Sequence, residues 1–109
     1  HMIGLASKLA DDARAVIDAN RLPWHVTQVG ARAEIMFMPS PPTSGADVIA
    51  GRRANLETLL HAFYMNEGIL VTPFHTMFLM CPATEATDVA RHADVFVRFV
   101  AMLQQAEVI

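Results

Sequence analysis

His75 and Cys81 are the side chains in this 109-residue chain most suited to act as a nucleophile and its base. A catalytic thiol needs an imidazole within hydrogen-bond reach and a third group to orient that base. Six residues apart on an extended segment, the two share a face but lie about 20 Å apart. They meet only if the chain bends sharply at 77–80, so a small Cys-His enzyme is set aside. Cys81 is instead expected to be a small buried packing residue.

The other reactive side chains form no constellation. The histidines at 25, 61, 75 and 92 lack i,i+4 spacing and Cys or carboxylate partners in a ligand pattern, so no metal site is expected. The glycines make no phosphate-cradling loop. Arg52 and Arg53 open a helix, where a solvated role is the default. The seven methionines suit adaptable packing. Residue types alone describe a domain with one apolar sheet face and no self-contained active site.

Composition sets the frame. Charged residues are 17% of the chain, below the roughly 25% usual for soluble domains. A domain this size buries only about two-thirds of its unfolded surface, so apolar surface is left for a partner. A net charge of −3, no basic run and few aromatics disfavour a nucleic-acid partner. The apolar run ILVTPFHTMFLMCPAT (69–84) holds two prolines and a polar centre, and a membrane span needs about 20 apolar residues. It reads as two short strands, each buried on both faces. A single cysteine fits a reducing, cytoplasmic setting without intrachain disulfides. The first twenty residues, rich in Asp, Arg and Lys, are unlike a signal peptide. His1-Met2 reads as a cloning scar and 3–109 as one domain, an excised piece of something longer.

The elements that must position these residues follow from periodicity. Leu5, Leu9, Ala13, Val16 and Ile17 predict an amphipathic helix over 4–20. WHVTQV (24–29) alternates as a half-buried strand. Gly30 breaks it, and AEIMFM (33–38) resumes as a strand apolar on both faces. PSPPTSGADVIAG (39–51) is expected to be a long irregular loop. Leu56, Leu59, Leu60 and Phe63 mark a helix at 52–66, closed by Gly68 as an αL cap. Strands follow at 69–73 and 75–80. Thr84 is an N-cap candidate for a last helix, with Glu85 and Asp88 at its positive end. The expected fold is α+β, order α-β-β-α-β-β-α, with helices on one face of a small, mostly antiparallel sheet.

Three segments in one order, GARAEIMFMPSPPTSGAD (30–47), LLHAFYMNEGILVTPFHTMFLMCPAT (59–84) and ATEATDVARHADVF (83–96), carry a resemblance. The chain is similar to the C-terminal small domain of class III, fold-type I pyridoxal-phosphate aminotransferases, and most to glutamate-1-semialdehyde aminomutase-like members. The resemblance covers residues 4–107. It implies a sheet packed against the large domain of the same enzyme, a homodimer partner, and a small amino acid substrate approached by Phe74 and His75. Relatives that handle a distal carboxylate can carry an arginine just after the proline; here Phe74 follows Pro73, so a carboxylate clamp is not implied.

The family's Schiff-base lysine, pyridine-facing aspartate and phosphate loop lie in the large domain, which nothing here matches. Lys8, the only lysine, fits no cofactor motif. The resemblance thus implies pyridoxal 5'-phosphate in the parent enzyme, none in this piece, and no catalytic residue within it. The parent would transfer an amino group between an amino acid and a keto acid or aldehyde. The alternative is a stand-alone, non-catalytic binding or dimerisation module descended from that domain.

Overall fold

The computed structural model describes residues 1–72 and 75–109. Its elements are α1 (Met2–Ala19), β1 (His25–Val29), β2 (Arg32–Met36), α2 (Gly45–Gly51), α3 (Ala54–Asn66), β3 (Met77–Leu79) and α4 (Ala86–Gln105). The strands form one antiparallel sheet in the order β1-β2-β3. This is the α+β layer that the periodicities predict.

Alternation along the strands decides which side chains enter the core. Val26, Ala33, Ile35 and Phe78 point to the helices and are buried. They meet Leu9, Ala13 and Ile17 of α1, Leu60 and Tyr64 of α3, and Phe96, Phe99 and Leu103 of α4 in one continuous core. Trp24 enters edge-on to Phe37, with ring centroids 4.7 Å apart. Burying a side chain of this kind stabilises by about 1.5–3 kcal/mol, so the core and not the short sheet holds the domain. Among the described residues no helix is long and apolar enough to cross a membrane.

Three helices stop in the same way. After α1, α3 and α4 a residue with positive φ reverses the chain: Arg21 (53°), Gly68 (81°) and Glu107 (57°). In each case the next residue's amide reaches back five residues: Leu22 to Ile17, Ile69 to Tyr64 and Val108 to Leu103. These are Schellman closures, which satisfy the orphan carbonyls of the last turn. Gly68 is the stop the sequence predicts; Arg21 and Glu107 adopt the same geometry with a Cβ.

Four expectations change. The 39–51 segment is not irregular throughout, because Ser44 accepts from the Asp47 amide at 3.1 Å and starts α2. Residues 69–72 form no strand: the Ile69 amide closes α3, and the Val71 carbonyl accepts from His61 Nδ1 at 3.1 Å. Their polar groups are spent elsewhere; the expected strand end at Pro73 lies outside the described residues. The cap of α4 is Glu85, in a reciprocal capping box with Asp88, while Thr84 binds the Cys81 amide. Finally, the apolar run is not buried on both faces, since Leu70 is 83% and Leu79 62% exposed.

Candidate functional site

The outward sheet face is where residues capable of binding collect. Register places Thr27, Glu34 and Met77 in one cross-strand row and Val29, Arg32 and Leu79 in the next. The first row and Met36 are half-buried, whereas Val29, Arg32 and Leu79 are exposed. Two adjoining cavities lie over this face. An open groove of about 380 Å³ runs under Pro41, Pro42 and Val48. A smaller recess of about 70 Å³ continues toward Met38, Gly51 and Arg53.

His75 borders both cavities. Its neighbour explains its placement. Thr76 is buried and donates its hydroxyl to the Ile35 carbonyl, while its own carbonyl accepts from the Ile35 amide at 3.0 Å. With Thr76 pinned to the inside, alternation turns His75 outward, where it is exposed. Thr72 donates to the His75 carbonyl at 2.6 Å. Phe74, the other expected substrate-side residue, lies outside the described residues.

The rim is held by charge and by close approach. Arg52 Nε donates to Glu57 at 2.9 Å, joining the end of α2 to the start of α3. Gly51 allows the roof to descend, since a Cβ there would stand 2.2 Å from Met38 Cε. His25 Nδ1 donates to the Met38 carbonyl at 2.7 Å and so fixes the chain as it leaves β2.

The remaining candidates do not join this site. Cys81 is exposed, which corrects its expected burial: the strand ends at Leu79 and the chain turns outward into Pro82. The Thr84 hydroxyl, 3.5 Å from the sulfur, holds the thiol below its ordinary range, helped by the Ala83 backbone. Neither cavity that His75 borders includes Cys81. His61 and His25 spend Nδ1 on backbone carbonyls, and His92 is buried beside Tyr64. Among the described residues no three His, Cys, Asp or Glu side chains are grouped to hold a metal.

Lys8 sits on α1, two-thirds exposed and paired with Asp12, and borders neither cavity. A pyridoxal cofactor needs a lysine amine facing its carbonyl carbon. The sequence reading missed Arg32 and Glu34. Their signal was the alternation R-x-E-x-M in β2, which puts both on the face opposite the core.

No protein-family model and no curated protein sequence matches the chain. Solved structures do. A glutamate-1-semialdehyde-aminomutase from Pseudomonas aeruginosa PAO1 matches at 43% identity and TM-score 0.91, over 94% of this chain and 23% of that one. A lysine-to-alanine variant of that enzyme, in complex with PMP, matches equally. A β-phenylalanine aminotransferase from Variovorax paradoxus matches at 17% identity and TM-score 0.85, over 95% of this chain and 24% of that one. An omega-transaminase from Sphaerobacter thermophilus matches at 18% and 0.74, over 92% and 23%. The last two speak for the fold alone.

The fold is therefore that of a domain found within pyridoxal-phosphate aminotransferases of class III. In sequence as well as in fold the chain is similar to the glutamate-1-semialdehyde-aminomutase. It spans about a quarter of the length of the solved relatives it matches.

Proposed function

We infer that the chain is the C-terminal, substrate-side small domain of a cytoplasmic, homodimeric pyridoxal-phosphate aminotransferase or aminomutase. The parent moves an amino group between an amino acid and a keto acid or aldehyde. Catalysis on the cofactor belongs to a large domain, and this piece is inactive alone. The observation that carries the reading is 43% identity at TM-score 0.91 across nearly the whole chain. The outward sheet face supports it, with apolar Val29, Met77 and Leu79 set beside unburied charge, as a surface made to be covered. Phe74 and His75 then border the substrate side chain and set its preference without handling its protons.

The test uses the full-length enzyme that carries this domain. His75→Ala and Phe74→Ala should reorder the amino donors by kcat/KM, each by a factor that corresponds to about 1–3 kcal/mol, with little change in Tm. An unchanged donor ranking refutes the substrate-side role. The isolated chain, mixed with pyridoxal phosphate, should develop no visible absorbance that disappears in Lys8→Ala. Such a band would place cofactor chemistry within this piece and overturn the reading.

A further inference from the structure

Glu34 is the carboxylate common to both cavities over the outer sheet face. It is half-buried in the row between Thr27 and Met77, and among the described residues it makes no hydrogen bond or ion pair. Glu34 lines both cavities beside Met36 and Val48, so an ammonium placed there would gain a charge-assisted contact that a neutral head group would not. The other charges at these cavities are peripheral or committed. Arg32 borders only the open groove, in the exposed row beside Val29 and Leu79. Arg52 is engaged by Glu57, and Arg53 is an exposed residue bordering only the smaller recess. His75 lies at the junction of the two cavities.

We propose that Glu34 sets the ligand class of this groove, receiving the ammonium end of a small amine whose apolar body lies along Met36, Met77 and Val48. The proposal rests on the reading of this face as the substrate side. It adds that a ligand with a distal amine is favoured there and one with a distal carboxylate is turned away. A charge-assisted contact to ammonium is worth roughly tenfold in affinity over a neutral head group of the same size.

The probes are hexylammonium, hexanol and hexanoate, which share one apolar body and differ in head group. Each is titrated into the 109-residue chain, with the Glu34, Met36 and Met77 amides followed by NMR. Hexylammonium should bind about tenfold more tightly than hexanol, and hexanoate more weakly than both. Glu34→Gln should bring the amine to the level of the alcohol, while Glu34→Asp keeps the preference. Hexanoate binding as well as the amine, or a preference that survives Glu34→Gln, overturns the proposal. Absence of shifts for all three also overturns it, and is the result expected if Arg53 folds onto Glu34. The substrate-side reading fails separately, when His75→Ala and Phe74→Ala leave the donor ranking of the full-length enzyme intact while the Glu34-dependent amine preference stands.

Discussion

The hydroxyl of Tyr64 and Nε2 of His92 lie 3.0 Å apart inside the core, 28 residues apart in sequence. Tyr64 is fully buried and His92 is 3% exposed, ringed by Phe78, Phe96 and Tyr64. Nδ1 of His92 has no partner among the described residues. Burial pushes the imidazole pKa down to about 4, partly countered by the charge of Asp12, and pushes the Tyr64 phenol well above its ordinary value. The pair is thus neutral, with the phenol donating to Nε2.

Stability should consequently fall in acid. A base whose folded pKa lies below its unfolded value of 6.5 binds fewer protons when folded. Its contribution is complete above pH 6.5 and is lost as pH drops toward 4, a total of about 3 kcal/mol from a shift of this size. Urea unfolding at pH 7.5, 5.5 and 4.5 measures it. His92→Phe should flatten the dependence over that window; the same slope in the variant would assign it to other groups.

The two non-glycine helix stops carry removable strain. Arg21→Gly relieves a left-handed Cβ conformation and should stabilise by about 0.5 kcal/mol, part of the relief being offset by a more flexible unfolded chain. Gly68→Ala introduces the same strain and should cost about 1 kcal/mol, although nothing lies within 4 Å of the added methyl. Opposite signs in thermal unfolding are the expected result. Two changes of equal sign would show that contacts, not backbone, decide these positions.

Amide exchange should be fast across 39–51 even though part of it is helical. No residue of α2 is buried, and a seven-residue helix without a packed face opens easily. Protection of the Val48 amide, which donates to the Ser44 carbonyl at 3.3 Å, should be far below that of β1 and β2. Protection equal to that of the sheet would mean that the roof is packed more firmly than its burial indicates.

The isolated chain should self-associate through its open sheet face. Val29 is 68% exposed, and with Leu79, Leu70 and Met77 it forms apolar surface that a large neighbour would cover. Sedimentation should show concentration-dependent dimers or larger species, reduced in Leu79→Lys. A monomer at all concentrations, with no binding of an apolar dye, would contradict this.

What the sequence disclosed depended on how local the cause was. α1, α3 and α4 were legible because Leu9, Ala13 and Ile17, or Leu56 and Leu60, repeat at 3.6 residues and all face one core. β1 followed from alternation and the α3 stop from Gly68. The α2 helix was available in principle, since Ser44 and Asp47 have N-cap spacing, but proline richness around them outweighed it. Strand character at Ile69–Val71 was misjudged because apolar content does not reveal where backbone groups bond; here they go to the end of α3 and to His61. Burial of Cys81 was misjudged for a related reason, as the strand stops two residues earlier. At the site, the outward course of His75 depends on Thr76 finding Ile35 forty-one residues away. No local pattern carries that.

The roof over the groove touches little beneath it. Gly51 comes close to the pliable end of Met38, and α2 adds nothing to the core. Residues 39–53 can therefore drift in sequence with small effect on folding, while each change would reshape the wall that the proposed ligand would meet. The domain separates the part that natural variation must leave alone from the part it is free to rewrite. If the proposed ligand binds here, its preference could be changed by single substitutions that leave the core untouched.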